Sequence, residues 1–378
     1  MEYNEVQAVV DPILSTGDAQ LSIGQEGPEE LVQSKIFVKR LDVHDVVTIT
    51  HPDGPENPVA VLCERVFFHS KGMIQSDSEI IFFADYAEGY VSLQNCAGQH
   101  AVDMEPISGI PDTVPGAAAQ GAQGANGRSA TQDWLTFHSA RSGQHGGPGA
   151  NGAEGRVGFT TQNKADGSHA RDITIFVKAF HPSSILEINA RGGDGGDGAT
   201  GGIGGKGQTG GTGGTGGRGG NGAHWSPAKR GGNGGAGGNG GRGGRGGQGG
   251  PGGDGGNGGD VLIYALNGNS LGIIEIINNS GGKAGVGGQG GDGGQGGEPG
   301  ARGHGGTGGD GSAFRTDGPN GLAGSFGARG NKGPQGPRGD DGSKGIDGDI
   351  NYEPRKVVTH VEPEVAKTVA DRVAALAA

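Results

Sequence analysis

Glycine recurs at every third residue, in one phase, along four separate stretches of this chain: Gly192 to Gly222, Gly231 to Gly258, Gly282 to Gly309 and Gly318 to Gly348. A period of three fits a polyproline-II-type helix, with three residues per turn and a rise of about 3.1 Å per residue. Such a helix bonds nothing to itself, so its buried N–H and C=O groups must pair with neighbouring strands or water. Glycine on the facing side lets backbones approach that closely. The first two runs are mostly Gly-Gly-X, which predicts two faces against neighbours and one facing out. The last run is Gly-X-Y (Gly330-Asn-Lys-Gly333-Pro-Gln-Gly336), which predicts a single glycine face. That face suits the edge of a bundle or one strand of a collagen triple helix, and both stay open at this level.

Composition narrows the rest. Of 378 residues 90 are glycine, hydrophobic residues make up 31% and aromatics 5%. An ordinary globular domain has roughly 45–50% apolar residues, so barrels and doubly wound catalytic folds are disfavoured. No apolar run approaches the roughly 18 residues of a membrane span. The opening segment, Met1 to Gln20, lacks a charged-then-apolar signal pattern.

The glycine runs pair as hairpins. Each spans roughly 90 Å at about 3.1 Å per residue. The legs are 192–222/231–259 and 282–309/318–348, joined by Ala223 to Arg230 and by Asp310 to Asp317; a weaker hairpin has legs 116–127/143–158. Between the legs sits a second repeat of strand, turn, strand and glycine entry. Its copies begin at Glu79-Ile-Ile-Phe-Phe83, Asp172-Ile-Thr-Ile-Phe176 and Asp260-Val-Leu-Ile-Tyr264, about 90 residues apart. Further strand candidates are Ile36–Val38, Val46–Ile49, Val59–Leu62 and Val66–Phe68. Val365, Val369, Val373 and Leu376 fall on one face of a C-terminal helix over 363–377.

The expected fold class is therefore mostly β and irregular. An N-terminal β domain (1–108) precedes a polyglycine-II helix bundle (109–349) gathered by the three strand–turn–strand repeats. A strand and short helix (350–378) follow.

Net charge is −12, unevenly spread. Residues 1–117 hold 19 Asp and Glu against 5 Lys and Arg, whereas residues 199–250 hold no acidic residue and six cations. The basic positions do not alternate with aromatics, so nucleic acid is not an expected partner. Cys63 and Cys96 are too few for a four-ligand zinc set, and a disulfide between them cannot be read from spacing.

Catalytic signals are absent: no His-Glu-x-x-His, no Gly-x-Ser-x-Gly, no phosphate loop. No enzyme, cofactor or metal site is expected. Gly255 to Ile263 fits one nine-residue calcium-roll unit, but a roll needs several copies at that spacing. The stronger candidates are the loops between legs. Both tryptophans, Trp134 and Trp225, lie there with Phe137, His224 and Phe314, beside Arg141, Lys229, Arg230 and Arg315. Aromatic and Arg side chains are common anchors of contact surfaces; the same aromatics would also serve to plug the open end of a bundle.

A strand pair leading straight into Gly-Gly-X (Ile185-Leu-Glu-Ile-Asn-Ala-Arg-Gly-Gly-Asp-Gly-Gly196), an acidic β-rich beginning and loops interrupting glycine legs resemble, as architecture, the tail-fibre adhesins of T-even-type phages. In that family glycine legs form a polyglycine-II bundle, its distal loops bind outer-membrane proteins of the host, and the N-terminal part sits on the fibre tip. This chain departs from the pattern in its longer legs, its short tip loops and its collagen-like run. The resemblance implies a non-enzymatic adhesin, extracellular or on a virion surface. Its partner would be a host-surface or extracellular macromolecule, protein or glycan. Docking to a fibre or partner would use the N-terminal domain or the 363–377 helix. The alternatives are a collagen-like matrix protein trimerised through 318–348 and an ice-binding protein using the row Thr209, Thr212 and Thr215.

Overall fold

A computed structural model describes residues 14, 18–111, 116–133, 136–265 and 274–352. Among the described residues fourteen strands follow one another, and twelve join a single parallel system. One ladder runs β1 (Leu21–Ile23), β3 (Lys35–Val43), β5 (Val59–Phe68), β7 (Ile80–Asn95), β10 (Ile173–Phe180), β12 (Val261–Ala265) and β14 (Ile350–Tyr352). A second runs β2 (Glu29–Val32), β4 (Val46–Thr50), β6 (Met73–Ser76), the later half of β7, β11 (Ile185–Asn189) and β13 (Ile274–Asn278). The chain alternates between the ladders, so each coil adds one rung to both. The hairpin of β8 (Thr131–Asp133) and β9 (Thr136–His138) is antiparallel and lies apart from that system.

Inward residues line up in register because parallel rungs repeat the same alternation. Ile36, Val61, Phe82, Ile175 and Ile263 form one buried column. Val47, Ile74, Leu93 and Ile188 form the facing one. These apolar columns are the core. Strand β7 crosses between ladders at Gly89, whose φ is +91° and whose missing side chain leaves room for the Phe68 carbonyl. A Cβ there would collide with that oxygen, so the bend needs glycine.

The expected fold class is corrected by this topology. Parallel β-sheet dominates, rather than an N-terminal β domain followed by a polyglycine-II bundle that strand repeats merely gather. The repeat strands β10–β14 continue the ladders begun by β1–β7, since each exposed parallel rung is a template for the next and extends the same apolar columns. All elements among the described residues are strands. The helix expected over 363–377 lies outside the described residues.

The glycine stretches are excursions from this solenoid. After the second-ladder strand of a coil the chain runs outward, turns and returns to the first ladder. The coils repeat at 88 residues (Asp172 to Asp260) and then 89 (Asp260 to Asp349). Outgoing legs bond to the next outgoing leg, as in Gly198 N–H to Val286 O and Gly201 N–H to Gln289 O, both 2.8 Å. Returning legs do the same, as in Gly240 N–H to Ala328 O at 2.8 Å. Bonds such as Gly247 N–H to Gly202 O at 2.8 Å tie the outgoing layer to the returning one. Ala101, Met104 and Ile107 follow the same rule by donating to Asp194, Asp197 and Thr200. That part of the first leg lacks the glycine triplet, and its pairing was invisible in the sequence.

Candidate functional site

The hairpin turns converge at the end of the excursions farthest from the core. In the second, Ala223 and Ser226 exchange both backbone bonds (2.7 and 3.0 Å), leaving His224 and Trp225 at the apex. In the third, Ser312 and Arg315 do the same (3.1 and 2.9 Å), with Ala313 and Phe314 at the apex. The first turn carries the β8–β9 hairpin. Trp134 lies outside the described residues.

Neighbouring turns touch through aromatic rings. Phe137 meets Trp225 edge-to-face with centroids 5.3 Å apart, and His224 meets Phe314 edge-to-face at 4.9 Å. Such edge-to-face pairs contribute about 0.5–1.5 kcal/mol beyond area burial. Ser226 is buried and its Oγ accepts the Ala140 amide at 3.3 Å, tying the second turn to the first. The rings remain in contact with solvent: Phe137 is 65% and Phe314 76% exposed.

Cations surround this row. Arg141, Arg230 and Arg315 are exposed and Lys229 is half-buried. The Lys229 amide donates to Gly220 O, and its carbonyl accepts Gly309 N–H, which fixes its backbone between two hairpins. Just below the turns, Arg218 pairs with Asp310 at 2.5 Å. Along the legs Arg329 pairs with Glu298, Arg338 with Asp341 and Lys344 with Asp347. Arg141, Lys229, Arg230 and Arg315 make no ion pair among the described residues, and neither do Arg156, Arg242 and Arg245 on the legs; Arg230 reaches only the Asn233 amide oxygen, at 3.4 Å.

Sequence reasoning missed a second role for the outward residues. Carboxylate, amide and imidazole groups at X accept the otherwise unpaired X amide of the next leg. Asn239 Oδ1 takes Ala328 N–H at 2.8 Å, Asp254 Oδ1 takes Ser343 N–H at 2.7 Å and His169 Nδ1 takes Asn257 N–H at 2.7 Å. The signal was present as Asn and Asp recurring at the coil spacing. These bonds hold Asp254 below the usual carboxylate range, first through Lys164 and then through the Ser343 amide. Asp347 is lowered by the Gly281 amide and Lys344. Asp260, within the calcium-roll-like segment, accepts Asp349 N–H at 2.8 Å. Among the described residues no three His, Cys, Asp or Glu side chains converge as metal ligands. Cys63 and Cys96 are both free thiols.

Comparison with known proteins adds little. No family model and no curated protein matches the chain. Among solved structures, a springtail antifreeze protein from Granisotoma rainieri, described as a nine polyproline type II helical bundle, is 20% identical. The match covers 66% of this chain and 100% of that one, with a TM-score of 0.10.

Proposed function

We propose that this chain is a non-enzymatic surface-recognition protein of the adhesin kind, in which the solenoid and its excursions act as a stalk and the turns make contact. The observation that carries this reading is the row of touching aromatics, exposed at Phe137, His224 and Phe314 and half-buried at Trp225, flanked by cations that lack carboxylate partners. Legs of about 30 residues would hold that row roughly 90 Å from the apolar core. Lateral bonds from leg to leg restrict each turn, so little freedom is lost on contact. The proposed setting is extracellular or virion-borne, with a protein or glycan of another surface as partner.

The Gly-X-Y leg supports a monomeric stalk over a collagen-like trimer. Its glycines face the preceding returning leg: a side chain at Gly327 would enter the Gly238 carbonyl, and one at Gly330 the Gly241 carbonyl. The glycine face a triple helix needs is already occupied within the chain. Ice binding is less well supported, because Lys206 and Arg218 flank the threonine row and are exposed.

The test is binding of the labelled chain to a panel of intact cells, compared with the variant Trp225→Ala/Lys229→Glu/Arg230→Glu. Binding should fall about tenfold or more, as for removal of interface anchors, while thermal unfolding stays at wild-type values. Undiminished binding by the variant removes the turns from the reading. Failure of the wild-type chain to bind any surface removes the reading itself.

A further inference from the structure

The chemistry and spacing of the turn row point to a particular class of partner. The lateral bonds continue up to the turns: Ala130 N–H to Asn221 O at 2.9 Å, and Gly222 N–H to Asp310 O at 2.8 Å. Extended chains paired in this way lie about 4.8 Å apart. Each turn brings at least one cation and one aromatic ring: Arg141 with Phe137, Lys229 and Arg230 with Trp225, Arg315 with Phe314. The row is thus a ruler with one cationic and aromatic set per chain spacing.

We propose that this row binds a linear acidic polysaccharide with one carboxylate on each sugar ring, a polyuronate. This rests on the recognition reading above and gives it a ligand. A pyranose unit in an extended chain is about as long as the spacing between neighbouring turns, so successive carboxylates meet successive cations. Guanidinium groups take carboxylates through paired hydrogen bonds, and three of the four turn cations are Arg. The C–H faces of sugar rings pack on aromatic rings, and Phe137, His224 and Phe314 are exposed to them. Each carboxylate brings one charge, so an array of one to two cations per turn is matched in number. A nucleic-acid duplex fits less well, because its phosphates wind around the helix axis, rising about 3.4 Å each along it, instead of lying in a straight line. The turns also form a row at a hairpin end, without the groove that tracks a nucleic-acid backbone.

Charge distribution is consistent with this placement. The chain as a whole is at −12, and residues 1–117, with 19 acidic against 5 basic side chains, carry more than all of that excess. A polyanion is repelled from the acidic solenoid and drawn toward the legs and turns, which orients the stalk on approach.

Polygalacturonate is the direct probe, with neutral dextran, dextran sulfate and duplex DNA as comparisons. Binding of the full chain is measured by biolayer interferometry at about 50 and about 200 mM salt, a range over which phosphate-type contacts weaken strongly. Three variants are compared with the wild type: Arg141→Gln/Arg230→Gln/Arg315→Gln, Phe137→Ala/Phe314→Ala, and the charge-matched control Arg156→Gln/Arg242→Gln/Arg245→Gln on the sides of the legs. The expected result is polygalacturonate binding that weakens about tenfold across that salt range. Both turn variants should reduce it about tenfold or more, and the control should leave it unchanged. Equal loss in the control, or loss in the charge variant with none in the aromatic one, overturns the proposal in favour of unspecific polyanion attraction. Tighter binding to duplex DNA or dextran sulfate than to polygalacturonate overturns it too. If polygalacturonate fails to bind while the turn variants still lose cell binding, the polyuronate inference falls and the recognition reading stands.

Discussion

Replacing Gly238 with alanine tests whether backbone contact, rather than glycine flexibility, holds the legs together. A Cβ at this position would enter the Ala150 carbonyl, lying 2.6 Å from its carbon and 2.9 Å from the Gly149 oxygen. Ordinary carbon–carbon contact needs about 3.5–4.0 Å, so the two returning legs must part by roughly 1 Å. Three bonds bracket that point: Gly211 N–H to Ala150 O, Gly149 N–H to Ala236 O and Gly152 N–H to Asn239 O, each 2.8 Å. Each contributes about 1 kcal/mol net, and a donor left buried without a partner costs about 1–3 kcal/mol. The smaller unfolded ensemble of alanine offsets about 0.4–1 kcal/mol. The expected destabilisation is therefore about 2–4 kcal/mol. The control is Gln289→Ala, at an exposed X position, which should stay within about 0.5 kcal/mol of wild type. Urea unfolding gives the magnitude. Native-state hydrogen exchange at Gly149, Gly152 and Gly211 gives the location. A Gly238→Ala protein within about 0.5 kcal/mol of wild type, with those amides still protected, would refute the close-contact account.

Three further outcomes follow from the same geometry. Asp194, Asp254 and Asp347 all titrate below their ordinary range. For Asp194 burial opposes the shift, but the Lys283 amide and Arg191 outweigh it. Because the folded values lie below the unfolded value of about 3.9, the stability these groups contribute is present above about pH 4 and is lost as pH falls through the lowered values. Calorimetric Tm should hold steady from neutral pH to about pH 4 and fall below it; a Tm unchanged into stronger acid contradicts the clamp role. Asn239→Ala should lose about 0.5–1.5 kcal/mol in urea unfolding, whereas Asn239→Asp, which keeps the acceptor for Ala328, should stay near wild type at neutral pH. Burial pushes both thiols up, and Cys63 is fully buried while Cys96 is half-buried. A thiol reagent should therefore modify Cys96 first and Cys63 only as fast as the protein unfolds; equal rates would argue against the core placement of β5.

Period alone determined a good deal about this chain. Glycine at every third residue dictated extended legs that must pair laterally, because such a backbone has nothing else to bond to. The loops holding Trp225 and Phe314 were legible as turns from the breaks in that period, and the strand pairs from their β-branched alternation. The order of assembly was not legible. Nothing local distinguishes Ile80-Ile-Phe-Phe83 as the end of an N-terminal domain from its role as the rung on which Ile173-Thr-Ile-Phe176 stacks. That choice depends on contacts 93 residues apart in sequence, seen in the pairing of Ile80 with Ile173. The same holds at the far end, where Phe137 reaches Trp225 and His224 reaches Phe314 only because a coil of 88 or 89 residues returns each turn beside the last. The place of the Gly-X-Y run within the coil was decided likewise. Its glycines are spent on the leg before it, and its remaining positions face solvent because no further leg follows among the described residues. Periodicity reports what one segment requires of its neighbours; which neighbours meet that requirement is decided by packing over the whole coil.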